Sequence, residues 1–132
     1  MPSFSIQTEG KESLTDITAE VERLVAASGA REGVCSVYVP HATAALAINE
    51  NADPAVQDDI LEALRGQVKD SGWRHDRIDG NAAAHIKAAI IGPSETIPIR
   101  EGKLALGTWQ DIFLCDFDGP RQRKVLVTII KA

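Results

Sequence analysis

Segment 96–130, TIPIREGKLALGTWQDIFLCDFDGPRQRKVLVTII, carries the clearest signal of fold class in this chain. Its apolar runs are separated by Glu101-Gly102 and Asp118-Gly119-Pro120, which are residue combinations typical of tight turns. Strands that are joined by short turns pair antiparallel. The segment therefore predicts a β-meander, with strands at 96–99, 104–106, 109–117 and 125–130.

Upstream of this segment, helical and strand patterns alternate. The clearest helix start is Asp53-Pro54, where Asp serves as N-cap and Pro as the first helical residue. Helices are predicted at 17–28, at 53–67 and, from an alanine-rich run that stops at Gly92-Pro93, at 82–91. Strands are predicted at 4–8, 34–39 and 44–48, and a polar loop at 70–80. The chain therefore reads as one α+β domain over 1–132, with antiparallel sheets and two or three helices.

Length and charge limit the function. The 132 residues fit one domain, and a net charge of −5 argues against a protein whose main partner is nucleic acid. No apolar run approaches the roughly 20 residues of a membrane span, and the first residues show no secretory signal. We therefore expect a cytoplasmic protein with neither a nucleic-acid nor a membrane partner. Cys35 and Cys115 both lie in apolar runs, which predicts buried, unreactive thiols.

The chain has three histidines, His41, His75 and His85. Three imidazoles with an open fourth position are typical of a catalytic zinc site. Three histidines are also an ordinary number for a chain of this length, and no HExxH pattern is present. Spacing alone leaves both interpretations open.

Carboxylates and amides concentrate where predicted strands end. Asn49-Glu50-Asn51-Ala52-Asp53 joins a strand to a helix and indicates either a functional cluster or simple helix capping. Asp116 and Asp118 share one face of a strand. They are placed either to bind a hard cation or orient a histidine, or to keep a strand end solvated.

Two further polar corners have the composition of a phosphate site. These are Gly107-Thr108-Trp109-Gln110 and Asp118-Gly119-Pro120-Arg121, to which Lys87 and Ser94 are possible additions. Arginine gives phosphate bidentate, charge-assisted contacts. The alternative is that Arg121, Arg123 and Lys124 form a basic turn that keeps a strand end in water.

Taken together, these corners resemble the YjbQ family, also called UPF0047, whose members are known as secondary thiamine-phosphate synthases. The resemblance covers nearly the full chain, in the family's order. The matching stretches are Pro40-His41-Ala42-Thr43-Ala44, Ile48-Asn49-Glu50-Asn51-Ala52-Asp53-Pro54, Asp79-Gly80-Asn81, Ala84-His85-Ile86-Lys87-Ala88, Gly92-Pro93-Ser94, Gly102-Lys103-Leu104, Gly107-Thr108-Trp109-Gln110 and Phe117-Asp118-Gly119-Pro120-Arg121.

The resemblance implies an α+β fold that assembles as a homotrimer or a multiple of it. It also implies a divalent metal held by His41, His75 and His85, and imidazole ligands favour zinc over magnesium. The implied reaction joins a pyrimidine-methyl pyrophosphate to a thiazole phosphate, giving thiamine phosphate and pyrophosphate. A phosphorylated small molecule is thus the expected partner. The alternatives are a metal-dependent hydrolase and a non-enzymatic ligand-binding or regulatory oligomer.

The resemblance also places the remaining site residues. The candidate catalytic carboxylates are Glu50, Asp53 and Asp118. The candidate substrate-binding residues are Thr43, Asn51, Asn81, Lys87, Ser94, Thr108, Gln110 and Arg121.

Overall fold

Eight strands and three α-helices make up most of residues 2–132, the part of the chain that the computed structural model describes. All of the predicted helices and strands are present with small shifts at their ends. The strands are β1 (Ser3–Gln7), β2 (Ser13–Asp16), β3 (Gly33–Tyr38), β4 (Ala44–Glu50), β5 (Ser94–Arg100), β6 (Lys103–Leu104), β7 (Gln110–Asp116) and β8 (Gln122–Lys131). The helices are α1 (Thr18–Ser28), α2 (Pro54–Gln67) and α3 (Ala82–Ile91), with a short 3₁₀ helix at Arg74–Arg77.

The strands form two antiparallel sheets, and this arrangement corrects the predicted meander. One sheet has the order β1-β8-β3-β5-β6, and the other has the order β2-β7-β4. Only β5 and β6 pair as a meander requires, because β7 crosses to the second sheet and β8 returns to the first. The α+β class and the antiparallel pairing are confirmed.

The position of β7 follows from its burial. Residues 112–117 are buried without interruption, so both faces of this strand are covered. Ile112 and Leu114 belong to a core that lies between the two sheets and includes the buried face of α1. Cys115 and Phe117 belong to a second core, which packs against residues of α2 and α3. The three-stranded sheet is therefore the middle layer of the domain.

Alanines bring α3 close to this middle layer. Ala82, Ala83, Ala84 and Ala88 are buried, and α3 contacts β4. Small side chains allow a helix axis to approach a sheet closely, since only methyl groups separate them. The one charged residue buried in this helix is Lys87. The fold thus places a cation deep beside the second core.

Backbone crowding fixes how closely β3 and β8 approach. Gly33 has φ +151°, and a Cβ built there would lie 2.0 Å from the carbonyl oxygen of Ile130. Only glycine fits this close approach.

Both cysteines are buried and free, as predicted. Burial raises the pKa of the Cys35 thiol to about 11 and that of Cys115 to about 12. None of the helices in residues 2–132 has both the length and the apolar character of a membrane span.

Candidate functional site

A polar cavity of about 500 Å³ lies between the connection from β1 to β2, the end of α2 and the amino end of α3. Three cations, Lys11, Arg65 and Lys87, line this polar cavity together with the carboxylates of Glu12 and Asp70. The volume falls within the range of small-molecule sites. The cavity is therefore the strongest candidate for a charged ligand.

Lys87 is the most deeply buried charge in the polar cavity, at 4% exposure. Its Nζ atom donates a 2.7 Å hydrogen bond to Oε2 of Glu12, while Arg65 donates a 3.0 Å bond to Oε1. Burial alone would raise the pKa of the Glu12 carboxyl, but the hydrogen bonds and charges of Lys87 and Arg65 outweigh it and hold the pKa below its usual value. One ionised carboxylate thus bridges two cations.

The amino end of α3 opens on the same cavity. Asn81 is the N-cap residue, but its side chain makes no capping hydrogen bond. Its Nδ2 atom instead donates a 2.9 Å bond to Oδ2 of Asp118, and its Oδ1 atom is buried without a hydrogen-bond partner in residues 2–132. The positive end of the helix dipole adds to the positive charge around the cavity.

Asp118 and Arg121 form a corner next to Asn81. Arg121 donates a 2.7 Å hydrogen bond from Nε to the carbonyl oxygen of Asp118 and a 3.0 Å bond to its carboxylate. The Gly119–Pro120 peptide bond within this corner is cis. The guanidinium of Arg121 is thus held at the corner, with half of the side chain still open to solvent.

Arg123 and Asp116 correct two sequence-based interpretations, since neither residue is solvated. Arg123 is 2% exposed and Asp116 is 0% exposed. The guanidinium binds the carboxylate through two hydrogen bonds, at 3.0 and 2.7 Å. A third bond of 2.7 Å runs from Arg123 to the hydroxyl oxygen of Thr43. The strand end is therefore fixed by a buried ion pair rather than kept in water.

Two more groups complete the environment of Asp116. Its carboxylate accepts a 2.6 Å hydrogen bond from the Thr8 hydroxyl and a 2.9 Å bond from the backbone N–H of Asp118. Burial acts to raise the pKa of Asp116, but these bonds and the charge of Arg123 hold it below its usual value. The ion pair thereby orients the Asp118 corner through the backbone.

His41 lies beside this ion pair. Its Nε2 atom accepts a 2.9 Å hydrogen bond from the backbone N–H of Lys124. Burial lowers the pKa of His41, and the nearby charge of Arg123 lowers it further. The neutral ring therefore carries its proton on Nδ1, and the lone pair of Nε2 is already in use.

His75 and His85 are in direct contact, whereas His41 is linked to His85 only because both line the same cavity. The rings of His75 and His85 meet edge to face with centroids 4.9 Å apart, and both line a largely apolar cavity of about 560 Å³. His85 also lines a cavity of about 440 Å³ with His41. His75 Nε2 is buried, has no hydrogen-bond partner among residues 2–132 and lies 3.5 Å from Oδ2 of Asp79.

These positions do not by themselves make a metal site within one chain. No group of three or more His, Cys, Asp or Glu side chains in the described 131-residue stretch, 2–132, is placed to hold a metal ion. Two imidazoles are adjacent, but the third has its Nε2 atom committed to Lys124. The set of three histidine ligands stays a prediction.

Asn51 lies in a separate hydrogen-bond network. Its Nδ2 atom donates to Asp16 and Asp111 at 3.0 and 2.9 Å, and its Oδ1 atom accepts a 2.6 Å bond from Gln57. The Asn51 amide thus links β2, β4, β7 and α2, so its polar atoms have a structural role.

Of the other predicted carboxylates, Asp53 has a visible structural task. It is exposed and accepts a 2.9 Å bond from the N–H of Ala55 as the N-cap of α2. Glu50 ends β4 and is half-buried opposite Gln110 of β7. Neither residue lines the polar cavity.

Thr43, another predicted substrate-binding residue, is buried, lies outside the polar cavity and accepts the hydrogen bond from Arg123. Three further predicted residues are exposed and also lie outside the polar cavity. Ser94 begins β5, and Thr108 lies in the turn before β7. Gln110 accepts a 2.8 Å hydrogen bond from the N–H of Gly107 through its side chain, which closes that turn. A direct role for these three residues stays a prediction.

Sequence reasoning missed Glu12, Arg65 and Lys11 as cavity residues. They lie in the connection between β1 and β2 and near the end of α2, so only the tertiary fold brings them to Lys87. No spacing rule links such distant positions. The one local signal was an unusual one, a lysine on the apolar side of an alanine-rich helix.

The two antiparallel sheets and three helices define a small α+β domain, and the polar cavity lies at the start of one helix. The family model described as "UPF0047 protein YjbQ-like" matches residues 2–132, and the chain belongs to this family. The family membership that the motifs indicated is thus confirmed.

Individual relatives agree with this assignment. A UPF0047 protein of Methanocaldococcus jannaschii is 44% identical over 127 residues, covering 96% of this chain and 91% of the relative. A crystal structure of an uncharacterized YjbQ/UPF0047 protein from Clostridium acetobutylicum has a TM-score of 0.95 at 46% identity, covering 98% of this chain and 100% of that one. A YbjQ-like protein of unknown function from Sulfolobus solfataricus has a TM-score of 0.95 at 40% identity, covering 99% and 96%.

Proposed function

We propose that the protein is an enzyme that acts on a phosphorylated small molecule and holds the phosphate in the polar cavity. The observation that supports this most strongly is the buried ammonium of Lys87, which faces the cavity beside Arg65 and the amino end of α3. The Glu12 carboxylate balances part of this buried charge, and the lining still has three cations against two carboxylates. A cationic cavity at a helix start is a suitable environment for phosphate.

The reaction we propose to test is the thiamine-phosphate synthesis that the family resemblance suggests. In that reaction a thiazole ring nitrogen forms a bond to the pyrimidine methylene carbon. The bond from that carbon to the pyrophosphate oxygen breaks, and the electron pair leaves with pyrophosphate. Lys87 and Arg65 would stabilise the negative charge that grows on the leaving group, which is the kind of electrostatic effect that most lowers such barriers.

Asn81 and Asp118 would position the substrate at the mouth of the polar cavity. The buried Oδ1 atom of Asn81 needs a hydrogen-bond donor, which an amino group on a substrate ring can supply. Asp118 is fixed by Asn81 and Arg121, so it offers a carboxylate of defined orientation. In this proposal both residues bind and orient, while the cations stabilise charge.

The experiment compares wild type with Lys87→Met and with Lys103→Met, an exposed lysine on β6 that serves as the matched control. Product formation from the pyrimidine pyrophosphate and the thiazole phosphate is followed by chromatography. We expect kcat/KM to fall by roughly 100-fold in Lys87→Met, as for the loss of one charge-stabilising group, and to be unchanged in Lys103→Met. Wild-type kcat/KM in Lys87→Met would contradict the proposal.

The same assay separates the alternatives. Release of phosphate from phosphate esters without a thiazole acceptor would identify a hydrolase. Pyrophosphate binding without turnover of any phosphorylated substrate would identify a ligand-binding oligomer.

The divalent metal, with zinc favoured over magnesium, is a separate proposal. The contact between His75 and His85 supports it, but His41 would have to release the Lys124 N–H to take part. Elemental analysis of protein purified without added metal tests it. The homotrimer, the cytoplasmic location and the lack of a nucleic-acid partner likewise stay predictions.

A further inference from the structure

The carboxylate of Glu12 occupies the position between the two cations that the proposed function assigns to phosphate. Its two oxygens bind different partners, Lys87 at 2.7 Å and Arg65 at 3.0 Å. A phosphate group that enters the polar cavity meets the same two donors. It therefore has to displace Glu12 before it gains them.

Lys87 is held within a helix, whereas Glu12 lies outside the helices and strands. Lys87 projects from the middle of α3 and its side chain is 5% exposed, so its ammonium stays in place. Glu12 lies in the connection between β1 and β2, next to a turn in which Gly10 has φ +69°. Rotation about its side-chain bonds alone withdraws the carboxylate, since no strand pairing has to break.

We propose that Glu12 is a specificity-determining residue, which restricts the polar cavity to ligands that carry a phosphate dianion or a diphosphate. This inference rests on the proposed function and names the charge class of its ligand. Glu12 is already attached to the chain, so its carboxylate binds the cations without loss of translational freedom. A free monoanion brings the same charge and loses that freedom, so it does not displace Glu12.

A phosphate group has the additional charge that a monoanion lacks. Near neutral pH a phosphate monoester carries about −1.5 to −2 charges and three acceptor oxygens. It contacts Lys87 and Arg65 at once and has an oxygen left for the amino end of α3. The gain over one carboxylate is therefore large enough to exchange Glu12 for the ligand.

The low pKa of Glu12 agrees with this competition. Burial would raise that pKa, and the opposing effect of Lys87 and Arg65 is the larger one, so the carboxylate is ionised at neutral pH. Replacing Glu12 by Gln removes this internal anion. The lining then has three cations, Lys11, Arg65 and Lys87, against the single carboxylate of Asp70.

The test measures binding of inorganic pyrophosphate and of acetate by calorimetry, at one ionic strength, to wild type, Glu12→Gln and Glu22→Gln. Glu22 is an exposed glutamate on α1, outside the polar cavity, and is the matched control. We expect Glu12→Gln to bind pyrophosphate at least 10-fold more tightly than wild type and to bind acetate measurably. We expect wild type and Glu22→Gln to bind pyrophosphate equally and acetate not at all.

The test distinguishes failure of the Glu12 proposal from failure of the proposed function. Equal or weaker pyrophosphate binding by Glu12→Gln overturns the displacement of Glu12 but leaves the phosphate site intact. Absence of pyrophosphate binding by every variant overturns the proposed function itself. Glu12→Asp provides a second variant in case Glu12→Gln fails to fold. It keeps the charge on a shorter arm, and an affinity equal to that of wild type would contradict the bridging geometry.

Discussion

Replacing Arg123 by Met should strongly destabilise the protein, because it removes one member of a buried ion pair. The change leaves the Asp116 carboxylate, at 0% exposure, without its cation. Within the described residues, 2–132, the carboxylate keeps only the Thr8 hydroxyl and the Asp118 N–H as donors. The hydroxyl of Thr43 also loses its bond from the guanidinium.

The size of the expected loss of stability follows from the burial of both Arg123 and Asp116. Removing one member of a buried ion pair costs about 3–5 kcal/mol, because the remaining charge is not compensated. Domains are usually stable by about 5–15 kcal/mol, so the variant should fold but be much weakened. For a domain of this size the loss corresponds to a fall in Tm of roughly 10–20 °C.

A double-mutant cycle separates the uncompensated charge from lost packing. In Asp116→Asn combined with Arg123→Met no charge is left, so we expect the double variant to recover at least about 1 kcal/mol relative to Arg123→Met. Arg123→Lys keeps a positive charge but not the two-pronged geometry, and should fall in between. Urea unfolding at pH 7, followed by circular dichroism at a fixed protein concentration, measures all of these variants. The reasoning is refuted if Arg123→Met loses less than about 1 kcal/mol, or if the double variant is the less stable of the two.

Three further predictions concern stability. The pKa values of Glu12 and Asp116 are lowered, so the folded state binds fewer protons than the unfolded state. The contribution of these two carboxylates to the free energy of unfolding should thus be constant above about pH 5 and fall below about pH 4, a decline that Asp116→Asn should reduce; an unchanged pH profile below about pH 5 in that variant would count against this. Gly33→Ala should cost at least about 2 kcal/mol by urea unfolding, because its Cβ would clash with the Ile130 carbonyl, and a neutral effect would contradict the close approach. Asp53→Ala should cost about 1 kcal/mol through loss of the α2 cap, whereas a loss of activity at unchanged stability would instead favour a catalytic role.

Local chemistry made the helices and most strands predictable. The Asp53-Pro54 pair marks the start of α2, and Gly29 ends α1 in a left-handed conformation. Such signals act within a few residues, so they are visible without the fold. Strand β2 was missed because its sequence, SLTD, is short and has no apolar alternation.

The sheet order was not predictable, because partner choice depends on both faces of a strand. Residues 112–117 are buried on both faces of the strand, yet the turns around them suggested a simple meander. A strand covered on both faces belongs between two layers, and that requirement took β7 away from β6 and β8.

The candidate site was predictable only in part, for a related reason. Asn81, Lys87, Asp118 and Arg121 came from motifs and lie in or beside the polar cavity. Arg123 looked like a surface cation, since nothing in its neighbourhood along the chain reveals a carboxylate that is buried with it. Long-range charge pairing of this kind becomes visible only in three dimensions.

The alanines of α3 have a consequence for redesign. Their methyl groups set how closely the whole helix approaches the sheet. The same helix carries the Lys87 ammonium to the polar cavity and the His85 imidazole to the largely apolar cavity. A bulkier side chain at Ala84 would lift both groups together. A redesign that is meant to reshape one of these two cavities alone must therefore change lining residues outside α3 and leave this helix unchanged.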